Sequence, residues 1–339
     1  MTTLKTAHSA ILRTKTPSWL ERSNKPTLLM GVVTVLIAAV FAIASPAFLS
    51  LANLSNLATQ IAPVLVIGVA MTFVITAGQI DLSVGAIAAF IAATSAELIS
   101  TGMNSSLVMV FSCIMGLGWG LINGYLTSYQ GIPSFIVTLA TMSVIRGFAL
   151  LSTEGFSIPI GENTVMRQIG SSSFLGISWL AWVGLLVFAA GLVLMHKMRF
   201  GQYITGIGSN EESTRRAGVN TKAIKMWALA FSGLAAGIAG VLIAARLGSG
   251  SANSAVGLEL TVIAAVVIGG TDLFGGRGTV VGTLIGAILT GLIANGLTLV
   301  GMSPFITPIV TGLVLLVAIW INMRGKKLSD LLAKLSGNK

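Results

Sequence analysis

The feature that most constrains this chain is a succession of long apolar blocks with almost no charge inside them, several reaching the roughly 20 residues that a helix needs to cross the hydrocarbon layer of a bilayer. Uncharged apolar runs predict spans near 28–45, 61–77, 82–99, 105–128, 133–152, 179–196, 226–245, 259–271, 278–302 and 304–322. The fold class expected is therefore all-α, a polytopic transmembrane helical bundle of about ten spans, some of them broken. Composition agrees: 54% of residues are hydrophobic and 9% charged, against about a quarter charged in soluble domains.

The net charge of +10 would suggest a nucleic-acid partner in a soluble protein. Here the charges sit in a few segments flanking apolar blocks, where they set topology, so no nucleic acid is expected and membrane lipid is. The one cysteine, Cys113, lies inside an apolar block, which excludes an intrachain disulfide. Ala42 to Ala44 mimic a signal-peptidase site, but a polar stretch of 27 residues precedes an apolar run, Leu28 to Ser45, longer than a signal-peptide core. The reading is an uncleaved first span.

Segments 1–27, 197–225, 271–278 and 323–339 together carry 17 Lys or Arg against five acids. The opposite segments carry Arg167 and Arg246 against Glu97, Glu154, Glu162 and Glu259. The excess of basic residues places 1–27 and 323–339 as cytoplasmic tails around a transmembrane domain, 28–322. Within it, 197–225 is a cytoplasmic loop and 153–178 an external segment. An even number of spans must separate successive basic segments, and six before 197–225 plus four after it satisfy that. Gly116, Gly120 and Gly124 share one helix face, as do Gly233 and Gly237; Gly278, Gly282 and Gly286 form a third such set, where backbones can approach closely.

The third and eighth spans are short, a mark of broken helices near a transport path. Gly78-Gln79-Ile80-Asp81-Leu82-Ser83-Val84-Gly85 precedes one. Gly269-Gly270-Thr271-Asp272-Leu273-Phe274-Gly275-Gly276-Arg277-Gly278 follows the other. Each holds an Asp-Leu pair bracketed by glycines, so Gln79, Asp81, Ser83, Asp272, Phe274 and Arg277 are candidate pathway or gating residues. For Asp81 two readings stand: a polar group lining the path, or a cap on the following helix. Asp272 and Arg277 either line the path or form an internal ion pair across a tight turn. Arg146, inside the fifth span, either snorkels to the outer edge or pairs with a carboxylate in the bundle.

Gly208 to Gly218 reads as a two-turn polar helix. Ser209 and Glu212 form a capping box, acids fill the first turn, Arg215 and Arg216 the last, and Gly218 stands at the stop position. Glu211 with Arg215, and Glu212 with Arg216, are i,i+4 pairs. So short a helix needs a surface to dock on.

With these residues in view, the sequence resembles the ribose-type branch of ABC-importer permeases, and is similar to autoinducer, xylose and galactose permeases. Four stretches carry the likeness: Gly78 to Gly85, like G-G-I-D-L-S-V-G; Gly208 to Gly218, like G-x-N-x-x-A-A-x-x-x-G; Ala264 to Gly278, like A-A-V-V-I-G-G-T-S-L-x-G-G-R-G; and Gly282 to Leu297. The chain departs at Gln79, where glycine is usual, and at Asp272, where serine is. The resemblance implies a bacterial inner-membrane importer subunit with both termini cytoplasmic. Its implied partners are ABC ATPase subunits that bind ATP and Mg in place of any cofactor in this chain, an extracytoplasmic solute-binding protein received in part by 153–178, and a second permease copy. Ser209, Asn210, Glu211, Glu212, Arg215, Arg216 and Gly218 would form the coupling helix.

The chain has no G-x-x-x-x-G-K-[ST] segment with which to cradle nucleotide phosphates, so energy must come from a partner. It is expected to be a transport subunit rather than an enzyme: His8 and His196 lie outside the spans or at a membrane edge, and no Ser-His dyad or H-E-x-x-H site can form. The alternative is an ion-coupled secondary transporter, a class that places ionisable groups deep in the bundle. A sugar or sugar-like neutral solute fits the scarcity of charge along the spans.

Overall fold

In the computed structural model, residues 18–316 are described apart from 163, 304, 311, 314 and 315. Most of the 1–27 tail, the 323–339 tail and much of the expected span 304–322 lie outside the described residues.

The chain runs through α1 (Ser18–Ala44), α2 (Leu51–Thr76), α3 (Val84–Ser100), α4 (Ser105–Ser128) and α5 (Ser134–Thr153). A short excursion follows: β1 (Ile158–Pro159), α6 (Val165–Ser171), β2 (Ser173–Phe174) and β3 (Ile177–Ser178). Then come α7 (Trp179–His196), α8 (Arg199–Ser209), α9 (Glu211–Arg216), α10 (Thr221–Leu247), β4 (Ser249–Gly250), α11 (Leu258–Ile268) and α12 (Val280–Leu299). The strands make only two antiparallel two-residue pairs, β1 with β4 and β2 with β3.

Nine of the ten expected spans fall on helices. Six of these (α2, α4, α5, α7, α10 and α12) are long and apolar enough to cross a membrane, while Met30–Ala44, α3 and α11 are shorter apolar helices. α2 begins ten residues before the expected start, because Asn53, Asn56, Thr59 and Gln60 dilute the hydropathy of a stretch that is nonetheless helical. Ser50 caps it by accepting from the Asn53 N–H at 3.2 Å. Asn53 then meets Asn295 of α12 in a buried reciprocal amide pair, at 3.0 and 2.9 Å. Bonds of this kind hold helices together where lipid gives no hydrophobic push.

α2 and α10 are the central helices, with 78% and 83% of their apolar windows buried, whereas α4 and α7 each bury only 22%. α4 crosses α10 at the small residues singled out above: a Cβ on Gly116 would strike the backbone of Gly233 and Gly237, and one on Gly120 the backbone of Leu229 and Ala230. In the third set, Gly282 and Gly286 lie against Gly269 and Ala265 of the α11 region, while Gly278 precedes α12 and faces Thr76.

Two ends result, joined by α10, whose 27 residues measure about 40 Å at the usual helical rise. One end gathers the turns at 77–83, 129–133 and 269–279 with α8 and α9. The other gathers 153–178 with the segment after α10: β1 pairs with β4, the Val165 N–H donates to Ser105 Oγ at 3.1 Å, and Arg167 lies against Gly248. Arg146 belongs to this second end. It donates to the Ala252 carbonyl at 3.2 Å, so its partner is a backbone dipole and not the carboxylate considered from sequence.

Candidate functional site

The turn after α2 leaves the helix through Gly78, at φ +72°, and runs without regular structure to Ser83. Irregular backbone inside a bundle is tolerated only when its polar groups find partners. Two side chains of α5 supply them: the Ile80 N–H donates to Ser134 Oγ at 3.0 Å, and the Leu82 N–H to Thr138 Oγ1 at 3.1 Å. Asp81 is fully buried. Its Oδ1 accepts from the Ser83 N–H at 2.9 Å and the Ser83 hydroxyl at 2.6 Å, and Asn123 of α4 donates to that hydroxyl at 2.9 Å. Ser232 of α10 lies beside the same carboxyl. Asp81 thus holds Ser83, the residue before the next helix, without accepting from an N–H of that helix, and ties the turn toward α4.

The turn between α11 and α12 is built otherwise. Asp272 accepts from the Phe274 N–H at 3.1 Å, and its own N–H donates to the Arg277 carbonyl at 2.9 Å. The expected ion pair between Asp272 and Arg277 does not form; among the described residues, ion pairs occur only at α9. The carboxylate is used up locally by its own turn, leaving the Arg277 and Phe274 side chains exposed.

α9 is a six-residue helix where a polar helix was expected, but its cap differs. Ser209 is the last residue of α8 and donates to the Thr205 carbonyl, while Asn210 caps α9 by accepting from the Ser213 N–H at 2.8 Å. Asn210 takes the position because its extended backbone, φ −162°, breaks the two helices apart. Glu212 pairs with Arg215 at 2.6 Å and with Arg216 at 2.9 Å. Hydrogen bonds from Arg216 and then Arg215 hold its carboxyl below the ordinary carboxylate range. Glu211 does not pair with Arg215; it takes Lys225 of α10 at 2.8 Å. Gly218 ends the unit at φ +86°.

The three segments meet backbone to backbone. A Cβ on Gly208 would collide with the Thr76 carbonyl and the Gly276 N–H, which are themselves bonded at 2.9 Å. Gly275 sits against both Gly78 and Gly208, and Gly276 against Ser209. Gln79, Glu211, Glu212 and Arg215 also share the wall of a cavity of about 660 Å³ with Thr127, Ser128, Lys222 and Lys225. Asp81 and Ser83 are buried and, like Phe274 and Arg277, are not part of its wall. Sequence reasoning missed Asn123, Ser134, Thr138, Ser232 and Lys225. Asn123 could have been found as an amide in an otherwise apolar span; the others have no local pattern.

Residues 53–319 match the family described as branched-chain amino acid transport system / permease component. The chain belongs to this permease family. A ribose import permease protein of Bacillus subtilis (strain 168) is 40% identical to it over 286 residues, 84% of this chain and 89% of the relative. The ribose import permease protein of Escherichia coli (strain K12) is 36% identical over 310 residues, 91% of this chain and 95% of the relative. A probable ABC transporter permease protein from the same strain is 37% identical over 292 residues, covering 86% and 88%. No solved structure matches the chain. The permease is a multi-pass membrane protein and a transport component. Family description and relatives name different solutes, so membership decides the transport role and leaves the solute to be argued.

Proposed function

We infer that this chain is the membrane-spanning permease subunit of an ATP-driven ABC importer, and that it translocates a sugar or sugar-like small polar solute delivered by an extracytoplasmic binding protein. The observation that carries this is the family match over 53–319, together with ribose import permeases aligned over most of both chains. The ion-coupled alternative has less support: away from the helix ends the acidic and basic residues of the bundle are Arg146, which bonds a backbone carbonyl, and Asp81, whose Oδ1 is taken by Ser83.

In this reading there are ten spans, the nine apolar helices and 304–322. The end bearing α8 and α9 is cytoplasmic, as are both termini, because it carries the basic excess. α9 is the coupling helix: short, polar, exposed and joined directly to the end of α8, whose Gly208 and Ser209 abut the two glycine turns. Closure of a partner ATPase, which holds ATP and Mg, pushes α9, and the contact of Gly208 with Thr76 and Gly276 passes that push to the turns of Gln79, Asp81 and Ser83 and of Asp272, Phe274 and Arg277. A second permease copy completes the pathway, and 153–178 receives the binding protein.

The test replaces Glu211, Glu212, Arg215 and Arg216 together by Ala in proteoliposomes holding permease, ATPase and binding protein, with radiolabelled D-ribose as probe. The variant is expected to insert and assemble while ATP hydrolysis no longer drives uptake. Normal uptake by the variant would refute the coupling role, and no ribose uptake by the unmodified complex would refute ribose as a solute.

A further inference from the structure

Three ion pairs involve α9, and they are not equivalent. Glu212 with Arg215 and with Arg216 are pairs within the helix, between arginine side chains 66% and 79% exposed. Such pairs are worth little in open water. Glu211 with Lys225 joins α9 to a spanning helix 14 residues away, and the Lys225 side chain is only 14% exposed. The ammonium lies within reach of both carboxylate oxygens, at 2.8 and 3.0 Å. Solvent screens it less than the other two. It is the one side-chain bond between α9 and a spanning helix among the described residues.

We propose that Lys225 is a positioning residue for coupling: through Glu211 it makes α10 move with α9. This rests on the coupling role inferred above and deepens it. Gly208 hands motion to the two turns by backbone contact, whereas Lys225 hands it to α10. α10 is the helix that packs on α4 through Gly233 and bears Ser232 beside the Asp81 carboxyl. Without the strut α9 could shift while α10 stays behind.

The experiment compares Lys225→Met, Glu211→Gln, the double variant and the charge exchange (Lys225→Glu with Glu211→Lys), each assembled with the ATPase in nanodiscs. The readout is the ratio of ATP hydrolysis with and without the binding protein, purified with the solute it carries. Each single variant is expected to lower that ratio by about threefold or more, and the double variant no further, as for two residues acting through one contact. The exchange should recover most of the loss, which a merely structural role for either side chain would not produce. Unchanged ratios in assembled single variants, additive losses, or no recovery on exchange would overturn the strut. The quadruple α9 variant in parallel separates the two ideas: if it keeps normal stimulation, the coupling reading itself fails; if it loses stimulation while Lys225→Met does not, only the strut fails.

Discussion

The two glycine-bracketed Asp-Leu turns look alike in sequence and are held by opposite means. The first, at 77–83, buries Asp81 and Ser83 and leans on its neighbours: Ser134 and Thr138 of α5 carry its backbone, and Asn123 of α4 reaches Asp81 through Ser83. The second, at 269–279, bonds to itself through Asp272, to the end of α2 through the Gly276 N–H and Thr76 carbonyl, and meets the first where Gly275 lies against Gly78. A turn that depends on two helices must move with them or break its bonds. A turn closed on itself can move as a rigid hook. The first is thus placed to sense the bundle, and the second to be carried by α8.

Changes to the two turns should therefore have unequal consequences. Asp81→Leu strands the Ser83 N–H and hydroxyl in a buried site, at a cost of about 2–4 kcal/mol for such unmade bonds; the expected outcome is a large drop in the detergent melting temperature and in the yield of folded permease. Equal stability of this variant and the parent would break the contrast. Thr138→Val removes one acceptor for the Leu82 N–H in a near-isosteric exchange and should cost about 1–2 kcal/mol, read as a smaller fall in melting temperature with the chain still inserted. Asp272→Ser keeps a side-chain oxygen able to close the turn and should change stability by less than about 0.5 kcal/mol. A fall as large as that of Asp81→Leu would mean that the second turn, too, depends on its carboxylate.

What could be read in advance followed from local chemistry. The apolar blocks gave nine helices because hydropathy acts residue by residue, and α9 was legible from acids, arginines and Gly218 in sequence order. Its cap was misassigned to Ser209 because S-x-x-E fits a capping box, while the backbone break falls one residue later at Asn210. α8 falls within the expected loop 197–225: its glycines at 201, 206 and 208 suggest turns, yet Gly201 and Gly208 sit where neighbouring backbone leaves no room for a Cβ. The expected Asp272–Arg277 and Glu211–Arg215 pairs failed because a nearer backbone donor and a distant lysine, respectively, took the carboxylates. Partners from other helices, such as Asn295 for Asn53 or Thr138 for Leu82, leave no trace in the spacing of one segment.

The central claim is that α9 stands on the cytoplasmic face where an ATPase can grip it, and cysteine accessibility tests that directly. With Cys113 replaced by Ser, Ser213→Cys in α9 and Phe156→Cys in the 153–178 segment are treated with a membrane-impermeant maleimide in right-side-out and inverted vesicles. The account predicts that residue 213 reacts only in inverted vesicles and is shielded once the ATPase is bound, while residue 156 reacts only in right-side-out ones. Labelling at residue 213 from the external face would contradict it.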